Sequence, residues 1–207
     1  MALVCTAILF FCLSGPVLAG QNIVIAAFGD SLTAGYQLSR EDAFPARLEQ
    51  ALRARGYHVR VLNAGVSGDT TGDALARLDW TLGENVDAVI VEFGANDALR
   101  GLAPSGAKKN LDAILTRLAK RRLPVLLVGM AAPRNLGAAY GAEFNRIYPE
   151  LARRHKVILF PFFLDGVITV RENLLADGLH PNPRGVAQIV QNILPYVEKL
   201  IRAIPRP

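Results

Sequence analysis

Ile23-Val24-Ile25-Ala26-Ala27-Phe28, closed by Gly29-Asp30, is an unbroken apolar run of strand length that stops at a glycine. Four more runs share this character: Val59-Arg60-Val61-Leu62-Asn63, Ala88-Val89-Ile90-Val91-Glu92-Phe93, Val125-Leu126-Leu127-Val128-Gly129 and Val157-Ile158-Leu159-Phe160. Strands this apolar are covered on both faces, which indicates a parallel sheet. Amphipathic stretches stand between them at 44–55, 71–81, 104–121 and 142–154. A last one begins at Asn182, with Pro183 at the first helical position, where its missing N–H costs nothing. The alternation predicts an α/β fold: a flavodoxin-like, doubly wound, three-layer sandwich with a five-stranded parallel sheet in the order 2-1-3-4-5. Ligands of such sheets bind beyond the carboxyl ends of the strands, so function is to be read in those loops.

The chain has 207 residues, 51% of them hydrophobic and 20% charged, which suits one domain with a sizeable core and excludes disorder. Residues 1–20 carry no charge and end in Val17-Leu18-Ala19, the small-x-small pattern of a signal-peptidase site. Ser14-Gly15-Pro16 interrupts this run before the roughly 20 apolar residues that a membrane anchor needs. No Lys or Arg precedes it, so the usual basic start is missing. The expectation is a cleaved export signal at 1–20, a single domain at 21–207 and a periplasmic or secreted protein. Both cysteines, Cys5 and Cys12, fall inside that signal. The mature domain would then hold no disulfide, no thiol nucleophile and no thiolate metal site. The net charge of +5 is scattered among acidic residues without a basic, aromatic stripe, which argues against nucleic acid.

Four loops at carboxyl ends carry chemistry. The first reads Gly29-Asp30-Ser31-Leu32-Thr33-Ala34-Gly35-Tyr36. A serine at a strand-to-helix turn has free backbone N–H groups beside its hydroxyl, which suit a developing oxyanion. The same residues also fit a helix cap or a phosphate cradle. The second loop is Asn63-Ala64-Gly65-Val66-Ser67-Gly68-Asp69-Thr70-Thr71, in which Gly65 would let the backbone approach a ligand and Asp69 or Thr70 would cap a helix. The third, Phe93-Gly94-Ala95-Asn96-Asp97, offers the neutral amide donor of Asn96, or an Asx turn. The last is Ala176-Asp177-Gly178-Leu179-His180-Pro181-Asn182-Pro183. There the spacing lets the Asp177 carboxylate reach the His180 Nδ1–H, so that Nε2 can face a serine hydroxyl. Read alone, His180 also fits a surface residue at a helix entry. His58 and His155 lack such a setting.

Together these loops supply a nucleophile, oxyanion donors and a base with its orienter, the set of roles needed for acyl transfer. The chain resembles the SGNH (GDSL) hydrolase superfamily over about residues 23–197. The matches are Ser31 in Gly-Asp-Ser-Leu, Gly65 in Asn-Ala-Gly-Val-Ser-Gly-Asp-Thr, Asn96 in Gly-Ala-Asn-Asp, and Asp177 with His180 in Asp-Gly-Leu-His-Pro. Asn96-Asp97-Ala98-Leu99-Arg100-Gly101, Phe144-Asn145-Arg146-Ile147-Tyr148-Pro149 and Phe160-Pro161-Phe162-Phe163 resemble segments of its exported arylesterase, acyl-CoA thioesterase and lysophospholipase group. Ala95 stands where that group more commonly has glycine, which bears on the width of an acyl groove. An α/β-hydrolase elbow, G-x-S-x-G, is excluded because residues 29–33 lack the second glycine.

The resemblance implies hydrolysis of carboxylic esters or thioesters through an acyl-serine intermediate. Ser31 would attack, His180 would act as base and then acid, and Asp177 would orient it. The Ser31 and Gly65 N–H groups and the Asn96 side chain would form the oxyanion hole. It implies no cofactor and no metal. Pro133 and Tyr140, after the fourth strand, are expected on the wall of an acyl groove, unless that segment is a plain connection. The expected partner is a small acyl ester or thioester, met by a monomer with transient contact to membrane lipids. A carbohydrate O-acetyl esterase on the same site and a noncatalytic exported lipid- or glycan-binding module are the competing readings.

Overall fold

A computed structural model describes residues 22–205; the expected signal at 1–20, with Cys5 and Cys12, lies outside them. Five strands form one parallel sheet: β1 (Ile23–Gly29), β2 (Val59–Gly65), β3 (Ala88–Glu92), β4 (Val125–Val128) and β5 (Ile158–Phe160). Their order is β2-β1-β3-β4-β5, as the pattern predicts. The helices are α1 (Ser31–Ala34), α2 (Phe44–Ala54), α3 (Thr71–Thr81), α4 (Ala95–Leu99), α5 (Pro104–Lys120), α6 (Ala138–His155) and α7 (Pro183–Arg202). The chain steps from β1 to β2 in one direction, then from β2 through β3 and β4 to β5 in the other. Right-handed crossovers therefore send α2 to one face and α3, α5 and α6 to the opposite face. The packing agrees, since α2 lies on α7, α3 on α5, and α5 on α6. The reversal leaves a crevice between the carboxyl ends of β1 and β3.

Sequence makes each layer. Val89, Ile90 and Val91 of β3 are fully buried, as a strand covered on both faces must be. In α7, Val186, Ile189, Val190, Ile193, Val197 and Leu200 recur at helical spacing and are buried. Burying each such side chain contributes about 1.5–3 kcal/mol. Asn182 caps α7 by accepting from the Arg184 and Gly185 N–H groups at 3.0 and 3.1 Å. Thr70, not Asp69, caps α3, in a reciprocal capping box with Asp73.

Three features differ from expectation. The short helices α1 and α4 are too brief to show a period, and they begin two and three residues after the ends of β1 and β3. Helix α6 starts at Ala138 rather than 142, because Gly137 turns the chain at φ 86° and two alanines, the best helix formers, follow. Gly65 has a different reason from the one its loop suggests. A Cβ there would stand 2.3 Å from Ala34 N and 2.9 Å from Asp30 O, so the glycine lets α1 lie against β2.

Gly65→Ala must therefore push α1 away, and we expect a stability loss of about 1–3 kcal/mol in urea unfolding. Gly83→Ala, where nothing lies within 4 Å, should be neutral or slightly stabilising.

Candidate active site

Helix α1 starts at Ser31, immediately after the end of β1. Asp30 caps it, its carboxylate accepting from the Leu32 N–H at 3.0 Å. The Ser31 Oγ lies 2.9 Å from His180 Nε2, across the crevice. His180 Nδ1 lies 2.7 Å from Asp177 Oδ2. The other Asp177 oxygen accepts from the Leu179 and His180 backbone N–H groups at 2.9 and 3.0 Å. Partial desolvation pushes the Asp177 pKa up, but these two backbone bonds, the ring N–H and the field of His180 outweigh it. The pKa falls to about 2. Asp177 is thus ionised at any working pH, which keeps the Nδ1–H tautomer and leaves Nε2 to accept.

The loop bearing His180 is braced from below. Leu174 bridges Pro181, the Leu175 N–H donates to the His180 carbonyl at 2.8 Å, and Asn182 Nδ2 donates to the Glu172 and Leu174 carbonyls. Tyr36, to which the sequence pattern assigns no role, stacks on the imidazole with ring centroids 4.4 Å apart and planes tilted by 36°. The signal that could have found it is its place two residues after α1, where the chain leaves the nucleophile turn.

The oxyanion region departs from the sequence reading. Gly65 is not free to donate, since its N–H is taken by Asn63 Oδ1 at 3.0 Å. In the same loop the Val66 N–H goes to the Gly29 carbonyl and the Asp69 N–H to the Val66 carbonyl. Among the described residues, the Ser67 and Gly68 N–H groups of that loop have no acceptor, and neither has that of Ser31. Asn96 Nδ2 donates to the Asp69 carbonyl at 3.0 Å and to Asp30 Oδ2 at 3.2 Å, which sets the amide against the Asp69–Thr70 peptide, one residue after Gly68. Asp97 and Arg77 hold this arrangement. Buried Asp97 accepts from the Thr71 N–H at 2.8 Å and its hydroxyl at 2.6 Å, tying α4 to the start of α3. Arg77, 7% exposed and 4.5 Å above the Phe28 ring, pairs with Asp69 and donates to the Gly29 carbonyl.

Neither Pro133 nor Tyr140 is bonded to the triad. Pro133 leads into a 3-10 turn at Arg134–Leu136, while the Tyr140 hydroxyl donates to the Leu102 carbonyl at 2.7 Å and its ring stacks on Phe144. Among the described residues, no cluster of His, Cys, Asp and Glu has the arrangement to hold a metal ion, and no helix is long and apolar enough to cross a membrane.

A serine–histidine–carboxylate set on this fold can be compared with known proteins. The chain is 41% identical to an arylesterase of Vibrio mimicus over 185 residues, covering 89% of this chain and 92% of that protein. It is 39% identical to the thioesterase 1/protease 1/lysophospholipase L1 of Escherichia coli, with 74% and 73% of the two chains covered. Among solved structures, the SGNH-hydrolase family esterase AlinE4 is 46% identical, with 90% of this chain and 99% of that one covered and a TM-score of 0.74. Residues 27–188 match the GDSL-like Lipase/Acylhydrolase family, and the chain belongs to that family.

Proposed function

We propose that the chain is a serine esterase that hydrolyses acyl esters and thioesters. The observation that carries this is the continuous line from Ser31 Oγ through His180 to Asp177, with contacts of 2.9 and 2.7 Å. Neutral His180 takes the Ser31 proton as Oγ attacks the acyl carbonyl, and the imidazolium is steadied by the Asp177 carboxylate. His180 then returns the proton to the departing alcohol or thiol, leaving an acyl-serine. Water, deprotonated by the same imidazole, releases the acid.

Negative charge on the former carbonyl oxygen needs donors. The Ser31 N–H, the Asn96 amide and the Gly68 N–H serve, with Gly68 in place of Gly65 because the Gly65 N–H is occupied. Asn96 must share or exchange one of its two acceptors to do so, a tightening expected when substrate enters. Exposed Tyr36, Val66, Leu99, Leu102 and Leu179 stand on the loops that carry these groups. Their apolar surface supports an acyl chain over a sugar acetate as substrate. Residues 1–20 serve as the export signal that places the enzyme in the periplasm or outside the cell.

Ser31→Ala and His180→Ala should each lower kcat by about 10⁴-fold or more, and the double variant little further, because the two act as a unit. A fluorophosphonate should label Ser31 in the parent protein. A folded protein that resists the probe would instead support the binding-module reading. Asn96→Ala should cost about 10²- to 10³-fold in kcat with little change in KM. If the long-chain p-nitrophenyl esters were not cleaved while the acetyl ester was, the acyl-chain reading would fail. Protein recovered from the periplasm of a Gram-negative host should begin near Gly20 or Gln21 by N-terminal sequencing; an intact Met1 would overturn the signal.

A further inference from the structure

Behind the nucleophile lie two carboxyl groups that the proton relay does not use. Asp30 and Glu92 are both fully buried, one between β1 and α1 and the other at the end of β3. Gly29 and Glu92 are paired in register, which brings the two side chains within hydrogen-bonding reach of each other. Among the ion pairs of the described residues, neither carboxyl has a cationic partner. Two adjacent buried carboxylates without a cation cannot both stay ionised.

The hydrogen bonds say which one holds the proton. Asp30 Oδ1 accepts from the Leu32 N–H and Oδ2 from Asn96 Nδ2, so both of its oxygens are met by donors and suit a negative charge. Glu92 Oε2 accepts from the Thr33 hydroxyl at 2.7 Å and the Asp30 N–H at 3.3 Å. Glu92 Oε1 is buried, and among the described residues no donor reaches it. A carboxylic O–H on that oxygen turns the orphan into a donor. Gly29 keeps the space open, since a Cβ there would lie 2.5 Å from Glu92 Oε2 and 2.1 Å from Thr33 Oγ1.

We propose that Glu92 is a protonated positioning residue, which donates a hydrogen bond from its carboxyl to Asp30 and through Asp30 fixes the Ser31 turn and the Asn96 amide. Burial, and then the charge of Asp30, push the Glu92 pKa well above the usual carboxylate range, in keeping with this. The other titratable and charged groups facing the pair are few. His180 acts on Asp30 through its field, and Arg77 of α3 binds the neighbouring Gly29 carbonyl. Tyr148 of α6 is held protonated, chiefly by burial, and donates to the Phe93 carbonyl.

The test compares Glu92→Gln, whose amide can replace the carboxylic O–H, with Glu92→Leu, which cannot. Infrared difference spectra at neutral pH should show a protonated-carboxyl carbonyl band in the parent protein that Glu92→Gln removes; its absence overturns the proposal. The proton count gives a second readout. Near neutral pH the unfolded chain leaves Glu92 ionised while the folded protein binds its proton, so this group makes stability fall as pH rises. Glu92→Gln should lose that component, becoming progressively more stable relative to the parent as pH rises from the ordinary glutamate range toward the raised pKa of folded Glu92. A pH-independent difference overturns it.

The catalytic half rests on the oxyanion role given to Asn96 above, whereas the two protonation readouts do not. We expect Glu92→Leu to lower kcat by about 10- to 100-fold with KM within about twofold, and Glu92→Gln to recover most of that loss. A Gln variant as slow as Leu overturns the positioning role. Should the Leu variant fail to fold, the band, the pH slope and the Gln kinetics still decide.

Discussion

The hydrogen bond between Ser31 Oγ and His180 Nε2 spans 149 positions of sequence, and the rest of the site serves to hold one or other of its ends. The serine end is rigid because α1 grows directly out of β1, capped by a buried aspartate, with Gly29 and Gly65 removing the side chains that would block its seat. The histidine end has no strand directly beneath it. It is held by a bridge to Leu174, by the Asn182 cap of α7 and by the Tyr36 ring. A proton moves between the two ends only if both are fixed to within a few tenths of an ångström, which explains the amount of local bracing.

The electrostatics divide into a wet side and a dry side. Asp177 is partly exposed and remains ionised because three N–H groups point at its oxygens. Asp30 and Glu92 sit on the dry side, where burial raises the pKa of both. Arg77 does not neutralise that pair; its charge goes to Asp69 and to the end of β1. The polar groups of the crevice therefore form two networks that meet at Asn96, whose amide touches Asp30 on one side and the Asp69 carbonyl on the other. Charge developing at the substrate carbonyl would be felt by both.

Much of this was legible from residues alone. The five apolar runs and their helical spacers announce the sheet and its order, and α3 appears with the same bounds in pattern and structure. Ser31, Asn96, Asp177 and His180 stand in the loops where the switch-point rule directs attention. Gly65 was misread, because a glycine needed for backbone packing and one needed for ligand approach look identical in sequence. Tyr36, Asp97, Arg77 and Glu92 carried no local signal, since each acts on a partner from a different loop or strand.

The sequence by itself determined what depends on local pattern: period, strand length, helix stops, and the three-residue spacing that lets Asp177 reach its own histidine. These follow from backbone geometry within a few residues. Tertiary structure alone decided which donors are occupied and which carboxyls meet. Helix α1 packs against the Gly65 backbone, Asn96 is shared between Asp30 and Asp69, and the register of β1 on β3 sets Glu92 behind the nucleophile. The reason is that a buried polar group must find a partner wherever packing has put one, and packing joins segments that are far apart along the chain.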